Sequence, residues 1–491
     1  MVSLARMKSF LLAKGMRQLV PLLSSHAPDT LLALMDKMSA RGIERMRAAH
    51  QGTPEELENR VQAARALFDM AKRQLPRLSR NTQKALAFNT FFNAINLGDE
   101  KREEYRARHG EYPPFFLLMS PSMACDLRCV GCYAWKHPRD ESLSREKVSA
   151  IITEAKNDMG IYFYSYTGGE PTYWPPLEEI AREHDDCFFM CYTHGQRIDE
   201  ATARRWAELG NLFPAISIEG DEALTDRRRG PGAWRNVMQA MERLRQHGVL
   251  FGFSLTHSRL NHDFTVHGGF VDDMIARGAA FGWVFQYLPI GRDPDFGLAP
   301  TAAQRLERRE MVRRAREGKP ILIYDFWNDG DAVDGCIAWG RKYAHITAKG
   351  WVEPCVFVHF AKDSLHQKTL GEALRSDCFR EARALQPFTH DLRRPCPQID
   401  HPGILRGLVE RHGLVPTHPG AEDIIGAHFG PLCQTASDYA AELAREDARL
   451  GVTEPKRDPR IESGGDCGCG VTGCAGCRGA GTAKTQLTVN G

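Results

Sequence analysis

The chain has no hydrophobic run long enough to cross a bilayer. Nothing in its 491 residues approaches the roughly 18 consecutive apolar residues that spanning requires. It also lacks an excess of charge of either sign. Sixty-four basic residues stand against 62 acidic ones, a net charge of +2, which gives nucleic acid no electrostatic footing as the main partner. No secretory signal is expected, because Lys8, Lys14 and Arg17 interrupt the apolar residues near the N-terminus and no small-residue cleavage site stands out. The 14 cysteines do not read as a disulfide framework. They fall in metal-like groups, which suits a reducing cytoplasm.

Three of those cysteines stand in close order. Cys125, Cys129 and Cys132 occupy Ala-Cys-Asp-Leu-Arg-Cys-Val-Gly-Cys-Tyr, a C-x3-C-x2-C spacing. A cubane iron–sulfur cluster normally takes four thiolates. Three clustered thiolates hold three of its irons and leave the fourth open. An open iron on a reducible cluster can bind a small molecule and pass it an electron, which points to catalysis rather than electron storage. The alternative is a structural zinc site, but zinc usually pairs C-x2-C with a second ligand pair further on. The longer first gap suits zinc less well.

Around the triplet, apolar runs alternate with helical patterns. Strand character falls at 113–120, 161–166, 187–192, 213–218, 249–255 and 281–287. Helical spacing falls at Arg145–Met159, Pro176–His184, Glu200–Leu209, Ala233–His247 and Phe264–Arg277. Strands alternating with helices of this length predict parallel βαβ units. Six such repeats predict an α/β fold, a partial (β/α)6 parallel barrel. Chemistry in such folds gathers at the C-terminal ends of the strands. The cysteine triplet, the turn Gly168-Gly169-Glu170-Pro171 after the second strand and Ser217-Ile218-Glu219-Gly220 after the fourth all fall there.

In that order and spacing the three motifs resemble the radical S-adenosylmethionine (SAM) superfamily over residues 112–295. The resemblance implies that Cys125, Cys129 and Cys132 bind a [4Fe–4S] cluster whose fourth iron is chelated by the amino and carboxylate groups of SAM. It implies that the turn of Gly168, Gly169, Glu170 and Pro171 receives the SAM amino group. There glycine would let backbone approach a ligand closely and a carboxylate would accept from an ammonium. Ser217 and Glu219 would sit near the ribose and methionine portions. One of Arg227, Arg228 and Arg229, with Arg228 the candidate, would pair with the SAM carboxylate. The family often carries an aromatic residue just before the third cysteine; here that position is Gly131, and Tyr133 follows the cysteine instead. Cys187 and Cys191 lie four apart on one strand face and are expected to be buried. His194 and His257 end strands at the same rim and read as satisfied structural histidines, with substrate contact the alternative for either.

A second cysteine set begins after residue 330. Cys336 is followed by 13 residues, Gly350, four residues and Cys355; the segment between reads as a hairpin turning at Lys349-Gly350. This pattern resembles the opening of the SPASM or twitch extension of radical SAM enzymes, which holds one or two auxiliary iron–sulfur clusters. No C-x2-C follows before the tail, so one auxiliary cluster or a different ligand set is expected. The candidates are Cys336, Cys355 and Cys396, with Cys378 or Cys433 as a fourth or as isolated cysteines without metal. A Gly-rich tail over 455–491 adds Cys467, Cys469, Cys474 and Cys477. These four thiols suit metal, a cluster or thiol–disulfide exchange, and an incidental role in a flexible segment is the alternative.

The chain thus divides into a helical N-terminal domain (1–105), the barrel (112–295), a connecting helix and strand (296–330), a small cysteine-rich α+β auxiliary region (331–440) and the tail. Residues 1–50 carry eight Lys or Arg against three Asp or Glu. Their helices are expected to pack on the barrel, or to present a basic amphipathic surface for peripheral membrane contact or a lipid. Asp325, Asn328 and Asp329 either line the substrate cavity or serve turn chemistry. The function expected is reductive cleavage of SAM to a 5′-deoxyadenosyl radical that takes hydrogen from an unactivated C–H bond of a peptide or protein. The same chemistry on a small metabolite or lipid is the alternative, and a non-catalytic iron–sulfur electron-transfer protein the second. An electron donor such as flavodoxin or ferredoxin is the implied partner.

Overall fold

The computed structural model describes residues 28–49, 54–135, 138–389 and 391–452. Residues 1–27 of the expected helical N-terminal domain and the tail cysteines Cys467, Cys469, Cys474 and Cys477 lie outside them.

The βαβ alternation is realised strand by strand. β1 (Phe116–Met119), β2 (Phe163–Tyr166), β3 (Phe188–Thr193), β4 (Leu212–Ser217), β5 (Gly252–His257) and β6 (Phe281–Gln286) pair in parallel, each with the next. Helices Arg145–Met159, Leu177–Glu183, Glu200–Leu209, Ala233–His247 and Phe270–Arg277 make the crossovers. Local signals mark their ends. Ser144 and Asp199 accept from the amides of Lys147 and Thr202 at helix starts, satisfying donors that have no intrahelical partner.

The parallel sheet continues past the six strands read from the sequence. β7 (Leu322–Asp325) joins β6 at one edge. At the other edge β8 (Tyr343–Ile346) lies parallel to β1, with Phe116 opposite Tyr343. The predicted hairpin forms: β9 (Trp351–Glu353) runs antiparallel to β8. The auxiliary region is therefore sewn directly onto the first barrel strand. A buried chain reinforces that seam. Ser120 Oγ lies 2.7 Å from His345 Nε2, and His345 Nδ1 lies 2.5 Å from Glu353 Oε2. All three side chains are buried.

Strand alternation separates two faces. Leu117, Met119, Tyr164, Tyr166, Phe189 and Cys191 pack beneath the crossover helices. Residues of the opposite face, among them Leu118, Ser165, Tyr192, Ser254, Phe285 and Tyr343, converge on one cavity. A sheet whose successive strands all line one cavity is curled around it, which is the partial barrel. Cys187 and Cys191 are buried apolar-like residues, as expected.

The N-terminal helices close the other end of the barrel. Met70, Leu75, Leu78 and Leu86 pack against Met190, Phe213, Leu250 and Phe281. Asp325, Asn328 and Asp329 do not line the cavity. They anchor the connecting helix Ala302–Gly318. Arg308 Nε donates to Asp325 at 2.8 Å, Arg305 Nε donates to Asn328 at 2.9 Å, and Arg316 pairs with Asp329. Arg305 also reaches Asp400 of the auxiliary region at 2.5 Å. Buried guanidinium and carboxylate groups require such partners, so these residues hold the architecture together.

Candidate functional site

The site is built where β1 leaves the sheet. The segment after β1 runs beside the turn after β2, and three backbone bonds zip them together. Thr167 N donates to Met119 O at 2.9 Å, Gly169 N to Ser122 O at 3.1 Å and Glu170 N to Ala124 O at 2.7 Å. A side chain on Gly168 would overlap the Ser122 carbonyl, and one on Gly169 would overlap the carbonyls of Ala124 and Met123. The glycines are thus required by the close approach of the segment leading into Cys125, whatever ligand lies beyond. Cys125, Cys129, Cys132, Gly168, Gly169, Glu170, Ser217 and Arg228 all line one cavity of about 170 Å³. Pro171 and Glu219 do not line it.

Glu170 is occupied by protein donors. Its Oε1 accepts from Thr172 N at 3.1 Å, Thr172 Oγ1 at 2.8 Å and Thr193 Oγ1 at 2.6 Å, and its Oε2 accepts from His194 N at 2.9 Å. It caps the short turn Pro171–Tyr173 and ties that turn to the end of β3. Glu219 faces the arginines. One oxygen, Oε1, takes Arg228 Nη1 at 2.6 Å and Arg229 Nε at 2.8 Å, while Oε2 is buried without a partner. Arg228 and Arg229 end the helix Glu222–Arg229, which Asp221 starts by accepting from Leu224 N. Both line the cavity; Arg227 does not. His194 lies 3.0 Å from Asp126 Oδ1 and accepts from Gln196 N at Nδ1. His257 bonds His262 and Arg308 away from the cavity.

The donor set fits an iron–sulfur cluster. Burial pushes the Cys125 thiol up to about 11, with the charges of Glu170, Cys129 and Cys132 adding to it. Burial likewise raises Cys132, opposed by Arg228 and Arg229. Thiols that resist ionisation in isolation, grouped on one cavity wall, become stable thiolates only when a cation compensates them. Soft sulfur ligands suit iron–sulfur clusters, and Gly168, Gly169, Ser217 and Arg228 offer polar contacts to a ligand on the cavity side of such a cluster.

Cys355 is buried in one cluster with Trp327, Tyr343 and Phe357, and Cys336 and Cys396 pack against that cluster. Burial raises each thiol to about 12, and each is further opposed by a neighbour: Cys336 by Cys355, Cys355 by Cys396 and Cys396 by Cys336. The same donor argument fits iron here. Burial raises the Cys378 thiol to about 12, and its charged surroundings are Lys362, Glu381, Asp363 and Arg411. Cys433 sits on the helix Phe429–Leu450.

Sequence reasoning missed most of the cavity wall. Tyr287, just after β6, places its ring where a side chain on Gly131 would project. The aromatic missing from the cysteine motif is thus supplied in space from 156 positions further along the chain. Tyr133 reaches Thr167 Oγ1 at 2.8 Å. Trp283, Phe285, Phe326 and Phe357 complete an aromatic wall, with Gln286 a polar group in it. Arg308 Nη1 donates to Gln286 Oε1 at 3.3 Å, which turns the Gln286 NH2 away from that arginine. Trp283 and Phe285 share one face of β6, but no local pattern says which face encloses a ligand.

A sequence profile described as the radical SAM superfamily matches residues 119–262. A mycofactocin maturase of Mycobacterium tuberculosis is 30% identical over 323 residues, covering 60% of this chain and 78% of its own length. A PqqA peptide cyclase of Streptomyces rochei is 25% identical over 69% of this chain and 90% of its own. An AdoMet-dependent heme synthase of Oleidesulfovibrio alaskensis is 27% identical over 54% and 76%. Among solved structures, Streptococcus suis SuiB bound to S-adenosylmethionine superposes with a TM-score of 0.51 at 17% identity, covering 62% of this chain and 76% of that one. That likeness is one of fold.

Proposed function

We propose that this chain, which belongs to the radical SAM superfamily, modifies a peptide substrate in the cavity enclosed by its partial barrel. The observation that carries the reading is the convergence of Cys125, Cys129, Cys132, Gly168, Gly169, Ser217 and Arg228 on one cavity whose remaining wall is aromatic. Bound at the cysteine triplet, a [4Fe–4S] cluster with SAM supplies a 5′-deoxyadenosyl radical able to take hydrogen from an unactivated C–H bond.

The protein's own part is positioning and exclusion. The Gly168–Gly169 turn, which lines the cavity, would receive the SAM ammonium. Arg228, held by Glu219 at 2.6 Å, offers its guanidinium to a carboxylate. Tyr287 stands beside Gly131 to take up the adenine. Trp283, Phe285 and Phe357 keep water from the C–H bond under attack. The cation-free far wall suits an uncharged group, and the Gln286 NH2 suits a carbonyl beside it. Such a carbonyl is present at every residue of a peptide. The similarity to a peptide cyclase supports this assignment. The apolar wall favours a second reading, a small metabolite with a broad apolar face, to which the similarity to a heme synthase lends weight.

An electron donor of the flavodoxin or ferredoxin kind would reduce the cluster, in a reducing compartment such as the cytoplasm. No helix among the described residues is long and apolar enough to cross a membrane. The test is anaerobic reconstitution with iron and sulfide, then dithionite and SAM. Release of 5′-deoxyadenosine is expected, and Cys129→Ala should abolish it. Release that survives this change would refute the assignment of the triplet. Isotope-labelled extract then separates peptide from metabolite by identifying the molecule that donates hydrogen to deoxyadenosine.

A further inference from the structure

Tyr343 belongs at once to the substrate cavity and to the auxiliary cysteines. It opens β8, opposite Phe116 of β1. Its ring stacks on Phe116 at 5.1 Å and 10°, and meets Phe326 edge-on at 6.1 Å and 69°. The residue lines the cavity, and its hydroxyl donates to Cys355 Sγ at 2.9 Å. No other side chain among the described residues is recorded both lining the cavity and hydrogen-bonding a cysteine of the auxiliary group.

We infer that Tyr343 is a positioning residue that sets the reduction potential of the auxiliary iron–sulfur cluster from the wall of the substrate cavity. The inference rests on the reading that Cys336, Cys355 and Cys396 hold that cluster. A hydrogen bond to a cluster thiolate stabilises the more negative, reduced form over the oxidised one, and so raises the potential. A phenol carries its proton throughout neutral pH, so the hydroxyl is a donor there. The two flanking rings hold its direction. A group entering the cavity presses on the same ring, so the bond to sulfur is placed where occupancy of the cavity can be felt.

The test uses the full chain, reconstituted anaerobically and titrated potentiometrically with EPR detection of both clusters. Tyr343→Phe keeps the ring and removes only the donor. We expect the auxiliary midpoint to fall while the core midpoint, the iron content and the response of the core signal to SAM stay as in the wild type. Tyr192→Phe, a change in another cavity-wall tyrosine, serves as the control and should leave both midpoints in place. An auxiliary midpoint unmoved in Tyr343→Phe, or moved equally in Tyr192→Phe, overturns the inference. Failure of the underlying reading looks different. The wild type would then hold about four irons with one signal, and Cys355→Ala would lose neither.

Discussion

Gly168 and Gly169 of the turn that approaches Cys125, with Gly230 after the helix Glu222–Arg229 for comparison, separate two physical reasons for glycine, and alanine substitutions measure each. Gly230 has φ of +108° and nothing within 4 Å of an added methyl. Gly230→Ala should therefore cost backbone strain alone, about 1–3 kcal/mol. Gly169 has ordinary φ, but its methyl would overlap the carbonyls of Ala124 and Met123. Gly169→Ala should cost overpacking alone, about 1–3 kcal/mol. Gly168 combines φ of +114° with overlap of the Ser122 carbonyl, and both obstacles are backbone, so no side chain can swing aside. Gly168→Ala should cost the sum, about 2–6 kcal/mol. Anaerobic urea unfolding of the three variants gives the ordering. Displacing the turn by about 1 Å should also slow release of 5′-deoxyadenosine about 100-fold, while iron content stays at the wild-type level, since no cysteine moves off its own loop. A Gly168→Ala protein no less stable than Gly230→Ala would refute the reasoning that close backbone approach dictates this glycine.

Two further outcomes test the seams around the site. Asp325→Ala strands the fully buried Arg308 and should destabilise the protein by about 3–5 kcal/mol; a loss under about 1 kcal/mol in urea unfolding would show that the pair is not needed to hold the connecting helix. Burial, with Arg394 adding to it, lowers His401 to about 4, and the imidazole bonds the Arg394 carbonyl. The unfolded chain binds a proton there below about 6.5 and the folded one only below about 4. Stability is therefore full above about pH 6.5 and falls, by about 3 kcal/mol for this group, as the pH drops to about 4. His401→Gln should flatten that part of the profile, and an unchanged slope would remove His401 as its source.

The architecture of the barrel was readable because its causes are local. Arg145–Met159, Glu200–Leu209 and Ala233–His247 begin and end where caps and apolar spacing put them. Helix Glu222–Arg229 escaped because its arginine run has no apolar face to reveal it; Asp221 at its start was the available signal. Residues 263–269 fell short of a continuous helix because a π-turn precedes Phe270. At the site, the cysteine triplet and the Gly168–Gly169 turn announced themselves by spacing, since a polynuclear centre and a tight turn each restrict residue type over a few adjacent positions.

What lay beyond local spacing was partnership. Glu170 looked like a ligand for an ammonium, but four protein donors share its two oxygens. Asp325, Asn328 and Asp329 read equally as cavity residues or turn residues, and it is Arg308, Arg305 and Arg316 of the connecting helix that claim them. Tyr287 beside Gly131, and Tyr343 between the cavity and Cys355, join positions far apart in the chain. Short-range order is written in capping, periodicity and cysteine spacing because those interactions span a few residues. Which carboxylate is already paired, and which ring fills which gap, depends on how distant segments meet when the sheet curls, and no stretch of neighbouring residues carries that information.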